Sequence, residues 1–315
     1  MFVRLPAGWL NHPFLVGRFQ IKSEGQIRKI VDSGFSEVDI DVDRSVPGVM
    51  PVEEPQIVEK VEAPPAHSFQ EAEDAVAEIS ASNLPPQAKA EAVYQQSLVM
   101  VEELFKKPTA DFIGSSKKVV GRVVDLILAD DDTAENLLRV SSHDQYTYMH
   151  SVNVGVYATA LAKKIYHGSN AHNMRELGAG FFLHDLGKIH VNQMIITKPG
   201  KLTPAEFDEM RKHPYESFEI LKKTSQLSDE CKVITLQHHE REDGTGYPFG
   251  LKGDEIHDYA RICSIADVFD ALTSKRSYRE PMSAFGALQI MRDEMLGHFQ
   301  SSMLRDFIML FATAQ

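Results

Sequence analysis

A proline- and glutamate-rich stretch divides the chain into two unequal parts. The sequence PGVMPVEEPQIVEKVEAPPA at residues 47–66 contains five prolines and four glutamates and has no steady hydrophobic period. Proline removes backbone hydrogen-bond donors, and a charged segment with few large apolar residues cannot bury enough surface to fold. We therefore predict an extended linker at residues 49–68, with separately folded parts on either side of it.

The part before the linker, residues 1–48, carries short alternating patterns that predict strands. FVRLPAG, RFQIKS and EVDIDVD alternate apolar and polar residues, and IRKIVDSG predicts a short helix that ends at Gly34. We expect a small α+β domain with a regulatory or docking role, because it has no clustered acid, base or nucleophile. Strand-like residues follow Met1 at once, which predicts that part of this domain is missing or that Met1 is internal to a longer chain.

The part after the linker is almost entirely helical in pattern. Residues 71–82 and 87–107 have helical spacing, and Val119, Val123 and Ile127 lie on one face of the next pattern. Thr203 is a predicted helix cap followed by Pro204 at the first helical position. Further helical patterns cover residues 147–166, 174–187, 226–240, 256–274 and 283–296. We predict a mainly α chain, with a helical connector at 69–118 and an all-helical domain at 119–315.

Composition excludes several classes of protein. There are 33 Lys+Arg against 45 Asp+Glu, a net charge of −12, so we expect no DNA or RNA binding, which needs a basic surface. A small anion could still bind where metals and local cations reverse the field. Cys231 and Cys263 are far apart and form no CxxC pair, and no apolar run reaches membrane-spanning length. These features predict a cytoplasmic protein.

Seven residues within the helical part are candidate metal ligands. The chain has 13 histidines, so a lone histidine proves little, and eight are set aside as surface or satisfied core residues. The pairs His184-Asp185 and His238-His239 end apolar helical patterns, where burial is costly unless the groups are ligated or paired. The candidates are His150, His184, Asp185, His213, His238, His239 and Asp267. Nitrogen and carboxylate donors suit iron, manganese, nickel or zinc, and seven donors are about right for two ions.

The alternative for each candidate is that it is an ordinary polar residue in a helix cap or an ion pair. This explanation is plausible for any one candidate but poor for all seven together. Neighbours on a helix diverge by about 100°, so adjacent ligands can serve different ions, and a carboxylate can bridge two. No cysteine pair accompanies the candidates, which excludes a structural zinc ribbon.

The order of these motifs resembles a known family. His150 comes first, followed by HDLGK from His184, His213-Pro214, HHEREDGTGYP from His238, and DVFDALTSKRSYR from Asp267. This order is similar to that of the HD-GYP family, a branch of the HD phosphohydrolase superfamily that degrades cyclic di-GMP. The resemblance covers roughly residues 120–310. The segment from Gly8 onward is similar to a small domain of unknown role that often precedes HD-GYP domains.

The resemblance implies an all-helical HD core and a metal-dependent cyclic di-GMP phosphodiesterase that lowers this second messenger in bacterial signalling. The same seven positions would hold two divalent ions, with iron or manganese favoured over nickel or zinc and Asp185 bridging them. Lys188 would meet one substrate phosphate, and Arg276 and Arg279 the other phosphate or a guanine edge. Some relatives bind a third metal through a Glu one turn before the first His. Tyr146 stands there, which favours two ions.

The expected reaction is attack of a metal-bridging hydroxide on one phosphorus, which yields pGpG or, after a second cut, GMP. Asp185 and Lys188 are the catalytic candidates, although Lys188 could be an exposed lysine and Arg276 and Arg279 ordinary surface charges. Two other functions stay open. One is a non-turnover cyclic di-GMP receptor or scaffold, and the other is a diiron oxygenase.

The GYP loop, Gly246, Tyr247 and Pro248, is predicted to be a rigid turn beside the metal site. Gly244 and Gly246 allow positive φ, and Pro248 fixes the exit of the turn. The loop would shape access to the site or dock a diguanylate cyclase (GGDEF) domain. Glu240 is expected to lie outside the ligand set, behind the ligands or paired with a cation. The amphipathic pattern at 87–107 could form a homodimer or pack within the chain.

Overall fold

The computed structural model describes residues 2–4, 18–21, 39–40, 69–140, 147–274 and 281–312. The chain divides into two compact units, residues 1–59 with 308–315, and residues 60–307. In the first unit, β1 (Phe2–Arg4) pairs antiparallel with β2 (Arg18–Gln20) and with β3 (Asp39–Ile40), in the order β2-β1-β3. In the register, Val3 lies opposite Phe19 and Ile40.

The predicted helix at 27–34 and the predicted linker at 49–68 lie outside the described residues. The α+β character of the N-terminal domain therefore stays a prediction.

The second unit is helical, which confirms the mainly α prediction. Its helices are α1 (Phe69–Ala81), α2 (Pro86–Lys106), α3 (Ala110–Ala129), α4 (Asp131–Val140), α5 (Thr147–Ile165), α6 (Met174–Phe182), α7 (Gln193–Ile196), α8 (Pro204–Met210), α9 (His213–Thr224), α10 (Asp229–Gln237), α11 (Asp258–Thr273) and α12 (Ala284–Asp293). Helix α13 (Ser301–Ala312) completes the described chain, and 3₁₀ turns occur at Leu186–His190, Gly253–Glu255 and Leu296–His298. None of the described helices is long and apolar enough to cross a membrane.

Helix ends differ from the predicted patterns at the places where metal-ligand candidates lie. The helix predicted through residue 187 ends at Phe182, so His184 and Asp185 lie in the turn between α6 and the 3₁₀ turn, and the expected divergence along a helix does not apply. The segment that follows packs closely on α9 at Gly187, where an added Cβ would overlap the His213 carbonyl oxygen. His150 lies in the first turn of α5, in agreement with the pattern predicted from residue 147.

The pattern after Thr203 forms two helices instead of one. Thr203 caps α8 as predicted, accepting a hydrogen bond from the Glu206 amide while the Glu206 carboxylate accepts from the Thr203 amide. Helix α9 then starts anew at His213 with Pro214 in its first turn, where the missing proline N–H costs nothing. Helix α4, which the patterns did not predict, starts where the Asp130 carboxylate accepts from the Thr133 amide.

Close approach of α5 and α6 brings the first two ligand candidates together. Gly155 on α5 faces the ring of Phe182, and any Cβ there would overlap that ring. Next to this contact, Tyr157 packs edge-to-face on Phe269 of α11 with ring centroids 5.1 Å apart. Phe269 packs in the same way on Phe307, also at 5.1 Å. These fully buried rings fix the positions of α5 and α11, each of which carries a ligand candidate.

Candidate metal centre

The seven candidate ligands converge into two adjacent groups. In each group, one potential ligand atom per residue lies within 4.8 Å of all the others. The first group is Asp185, His213, His238 and His239, and the second is His150, His184 and Asp267. They come from α5, the turn after α6, the start of α9, the end of α10, and α11, so the whole fold of the second unit assembles them.

Asp185 joins the two groups through its two carboxylate oxygens. Its Oδ1 lies 3.1 Å from Nε2 of His213 and 3.7 Å from Nε2 of His238, both in the first group. Its Oδ2 lies 3.3 Å from Nε2 of His150 and 3.4 Å from Nε2 of His184, both in the second group. A carboxylate in this orientation has one oxygen available to each of two ions.

Backbone carbonyls orient three of the histidines. Nδ1 of His184 lies 2.8 Å from the Phe181 carbonyl oxygen, and Nδ1 of His213 lies 2.7 Å from that of Met210. Nδ1 of His238 lies 3.0 Å from the Thr235 carbonyl oxygen. A carbonyl can only accept, so each Nδ1 carries the proton and each Nε2 presents a lone pair to the centre.

The arrangement of these lone pairs fits a bound cation. Nε2 of His213 lies 3.4 Å from Nε2 of His238 and 3.1 Å from Nε2 of His239. Because Nδ1 holds the proton in His213 and in His238, no hydrogen bond joins this pair, and their facing lone pairs repel unless a cation lies between them. His184 Nε2 and Asp185 Oδ1 are also buried, and neither has a hydrogen-bond partner within the described part of the chain. Five imidazoles and two carboxylates thus form a donor set suited to a divalent transition metal.

The protonation states at neutral pH also favour metal binding, with one exception. Burial lowers the pKa of His213 to about 4 and lowers the pKa of His184 and His239, which keeps these rings neutral. Burial opposes ionisation of Asp185, but Lys188 and the surrounding histidines hold its pKa well below the usual range. A metal ligand must be neutral histidine or ionised carboxylate, and these groups already are.

His150 is the exception, because three carboxylates surround it. Its Nε2 lies 3.1 Å from Asp267 Oδ1 as well as near Asp185, and its Nδ1 lies 2.7 Å from Asp270 Oδ2. Burial lowers the pKa of His150, but hydrogen bonds to the three aspartates outweigh it and leave the pKa well raised. Metal binding at His150 must therefore displace a proton. Sequence patterns did not single out Asp270, although it follows Asp267 by three residues on α11 and so faces the same side.

Lys188 lies beside the carboxylate that joins the two groups. Lys188 lies in the 3₁₀ turn, three residues after Asp185, and its ammonium forms an ion pair with Asp185 Oδ2. The turn is held against α9 by a hydrogen bond from the Gly187 amide to Ser217 Oγ at 2.7 Å. The other predicted substrate contacts, Arg276 and Arg279, lie outside the described residues, as does Tyr146.

The GYP loop packs directly on the metal-ligand candidates. The Tyr247 ring stacks on the His239 ring with centroids 4.6 Å apart and an interplanar angle of 29°, and the Tyr247 amide donates to the His239 carbonyl at 3.2 Å. Gly244 has φ +78, as predicted, but Gly246 does not have positive φ. Gly246 is needed for a different reason, since a Cβ there would lie 2.5 Å from the Glu240 Cα.

Glu240 fastens the far side of this loop. It is 2% exposed, and its carboxylate accepts hydrogen bonds from the Phe249 amide at 2.7 Å and the Leu251 amide at 3.0 Å. Glu240 lies outside the two ligand groups, as expected, and its partners are backbone amides of the loop where the sequence had suggested a cation as one alternative. One side chain therefore accepts from two backbone amides of the loop.

A cation and two rings form the rim beside this loop. The Arg211 guanidinium carbon lies 5.2 Å from the Tyr247 ring centroid and 5.7 Å from that of Phe207, which is 43% exposed. Burial raises the pKa of Tyr247, so its hydroxyl stays a protonated donor. Planar cations and aromatic rings are the groups that bind phosphates and stack on bases. Sequence patterns did not select Arg211, which lies two residues before His213.

Two family models match the chain. The HD domain family matches residues 133–303, and a domain of unknown function (DUF3391) matches residues 1–111. The HD match covers more than half of the chain and contains all seven candidate ligands.

Individual proteins are similar over different lengths. A protein named cyclic di-GMP phosphodiesterase from Pseudomonas aeruginosa is 34% identical over 320 residues, covering 98% of this chain and 73% of its own length. The cyclic di-GMP phosphodiesterase response regulator RpfG of Xanthomonas campestris is 46% identical over 107 residues, and this chain covers 28% of it. A 3′3′-cGAMP-specific phosphodiesterase of Vibrio cholerae is 39% identical over 156 residues, which is half of this chain and 36% of the relative.

A solved structure has the same fold. It is an HDG"Y"P protein from Bdellovibrio bacteriovorus, with a TM-score of 0.65 over 77% of this chain and 78% of its own, at 18% identity.

Proposed function

The chain belongs to the HD-GYP branch of the HD-domain family, and from this premise we propose that it is a metal-dependent phosphodiesterase that hydrolyses cyclic di-GMP. The observation that carries the proposal is the convergence of seven ligand candidates in two groups joined by Asp185, whose two oxygens lie near four of the histidines. The products are pGpG, GMP or both, and the reaction lowers the level of this second messenger in bacterial signalling.

We assign two divalent ions to the centre, one to each group of ligand candidates, with Asp185 between them. Iron or manganese fits best, and nickel or zinc also suits nitrogen and carboxylate donors. When bound, such ions supply a water of lowered pKa and neutralise charge on phosphate oxygens. The predicted ligands are His150, His184, Asp185, His213, His238, His239 and Asp267.

The chain's own residues orient the substrate around that centre. Lys188 holds an ammonium beside Asp185 Oδ2, where a non-bridging phosphate oxygen gains charge during the reaction. Tyr247 and Arg211 form the rim on the side of His239, where a guanine ring can stack and a phosphate can accept from the guanidinium. Arg276 and Arg279 stay predicted contacts of the second phosphate or of a guanine edge.

The remaining assignments concern regulation and partners. We propose that residues 1–48 are a small α+β regulatory domain and that the GYP loop is a docking surface for GGDEF domains. A homodimer through α2 and a cytoplasmic location stay predictions, as do the boundaries of the linker and connector. Phe249 directly follows the GYP loop and is 59% exposed, and this exposed apolar side chain supports docking.

The decisive experiment is a turnover assay on protein loaded with iron or manganese under reducing conditions. Wild type should convert cyclic di-GMP to pGpG or GMP, and His184→Ala should not, because the buried Nε2 of His184 faces Asp185. His190→Ala, an exposed histidine in the neighbouring 3₁₀ turn, is the matched control and should keep wild-type rates. Wild-type turnover no higher than that of His184→Ala in the metal-loaded state would refute the proposal.

The same assay addresses the alternatives. Running 3′3′-cGAMP in parallel tests the substrate named for the Vibrio relative. A receptor would release intact cyclic di-GMP after binding it, and a diiron oxygenase would consume oxygen with its substrate. No relative described above is named as either.

A further inference from the structure

A chain of buried hydrogen bonds runs from α2 to the metal centre. The Tyr94 hydroxyl donates to Asn153 Oδ1 at 2.7 Å, and Asn153 Nδ2 donates to Asp270 Oδ1 at 2.7 Å. Asp270 Oδ2 in turn lies 2.7 Å from Nδ1 of His150, which donates to it. The Tyr94, Asn153 and Asp270 side chains are at most 5% exposed. The metal-ligand candidate His150 is therefore held by a relay that starts three helices earlier in the chain.

The geometry leaves the relay little freedom. Asn153 uses its oxygen toward Tyr94 and its nitrogen toward Asp270, so a flipped amide would place its oxygen against the Asp270 carboxylate and lose that bond. Asp270 Oδ1 also accepts from Ser274 Oγ at 3.1 Å, which fixes the rotation of the carboxylate. With Nδ1 committed to Asp270, the His150 ring presents Nε2 toward Asp185 and Asp267. Partners of this kind typically change metal affinity by about 10–100-fold when they are removed.

The relay also crosses the border between the two family matches. Tyr94 lies within residues 1–111, matched by the domain of unknown function, whereas Asn153, Asp270 and His150 lie within the HD match at 133–303. Helix α2 packs on α5, the helix that carries both His150 and Asn153. A shift of α2 would therefore act first on the hydrogen bond between Tyr94 and Asn153, and through Asn153 on the rest of the relay.

We propose that Tyr94, Asn153 and Asp270 are positioning residues that hold the His150 ring in its ligand orientation and make metal binding depend on the position of α2. This inference rests on the proposed function only in taking His150 as a metal ligand. It assigns to α2 a direct structural connection to the metal centre.

The test measures manganese affinity of the full-length, metal-free protein by competition with a chelator, without nucleotide. Asp270→Asn should weaken manganese binding by about 10–100-fold, and Tyr94→Phe by a smaller factor of about 3–10-fold. Tyr166→Phe is the matched control, because its buried hydroxyl has no hydrogen-bond partner among the described residues, and it should leave affinity unchanged. At saturating manganese, kcat of Tyr94→Phe should return to within about twofold of wild type, since its ligands are intact.

The double variant Tyr94→Phe/Asp270→Asn distinguishes a relay from two separate packing effects. The two side chains are joined only through Asn153 in the bonds described here, so a relay predicts a combined loss smaller than the product of the single losses. Multiplicative losses, or wild-type affinity in Tyr94→Phe, would overturn the proposal. If Asp270→Asn does not unfold cooperatively, Ser274→Ala takes its place in the same cycle. Because no turnover of cyclic di-GMP enters the affinity measurement, failure here is distinguishable from failure of the phosphodiesterase assignment.

Discussion

The metal-ligand cluster and the GYP loop are adjacent in the chain at His239 and Glu240, yet they are held in place by different means. The cluster draws its seven residues from elements spread over more than a hundred positions, and most are buried. The loop is one contiguous segment. The carboxylate of Glu240, at its start, accepts hydrogen bonds from the Phe249 and Leu251 amides at its end. The cluster therefore depends on the packing of the whole helical unit, and the loop on local hydrogen bonds.

This difference implies that the two regions can be disrupted separately. A change at a ligand should remove metal and leave the loop in place, because the loop bonds involve Glu240 and backbone atoms. A change in the loop should alter substrate handling and leave metal content intact, because the ligand nitrogens of His213 and His238 are oriented by their own helices. The following predictions test that separation, starting with the largest effect.

Asp185→Asn should have the largest effect on the cluster. The carboxylate offers one oxygen to each group of ligands, whereas an amide offers a single oxygen. We expect elemental analysis to show the loss of at least one of two metal ions per chain, and turnover to fall by roughly 10³-fold. Asp258→Asn, at the start of α11 and paired with Arg261, is the control and should keep both. Two ions per chain in Asp185→Asn would contradict a bridging role.

The pH dependence of stability should expose the buried histidines of the metal-free protein. Burial lowers the pKa of His213 from 6.5 to about 4, so between these values the unfolded chain binds a proton that the folded chain does not. Stability is therefore lost as pH falls through this window, by about 2–3 kcal/mol between pH 7 and pH 4.5 for this residue. His150 acts in the opposite direction, because its raised pKa stabilises the fold at low pH.

Thermal or urea unfolding of His213→Gln, compared with wild type across pH 4.5–7, isolates this contribution. The variant should lose less stability on acidification than wild type does, since glutamine does not titrate. Parallel curves for the two proteins would show that His213 is not buried neutral in the folded chain.

Glu240→Gln should loosen the loop and spare the metal. The amide can accept from only one of the Phe249 and Leu251 amides, and its NH₂ group would face the other donor. We expect a stability loss of about 1–3 kcal/mol and faster hydrogen exchange at residues 249 and 251, with unchanged metal content. Glu230→Gln, exposed at the start of α10, is the matched control. Loss of metal in Glu240→Gln would show that the loop and the cluster are one structural unit.

The same contrast explains how much the sequence predicted. The ligand candidates could be identified because His-Asp and His-His pairs within apolar patterns are costly unless they serve a purpose. Their placement was harder to predict. The segment after the end of α6 at Phe182 packs through Gly187 on His213 of α9, a residue distant in the chain. Propensity along one segment carries no information about such a contact.

The supporting residues were missed for a related reason. Asp270 and Asn153 read as ordinary polar positions on α11 and α5, and only the packing of those helices brings them to His150. Glu240 was identified in the sequence, but its hydrogen-bond partners were not predicted. The path by which the loop returns over Glu240 cannot be predicted from turn residues alone. Hydrogen bonds between elements distant in sequence are the part of the site that single-sequence patterns do not specify.

The smallest effect should come from Tyr247, where the loop meets the cluster. Its ring stacks on His239 and lies under the Arg211 guanidinium, so Tyr247→Ala removes the aromatic wall of the cleft while leaving the His239 nitrogens in place. We expect turnover of cyclic di-GMP to fall by about tenfold, which corresponds to about 1.4 kcal/mol and lies near the lower end of the range for one lost stacking contact, with metal content unchanged. Tyr247→Phe, which keeps the ring, should retain most of the activity. If Tyr247→Ala instead loses its metal, the stacked ring is part of what holds His239 in position, and the separation between loop and cluster fails at this one contact.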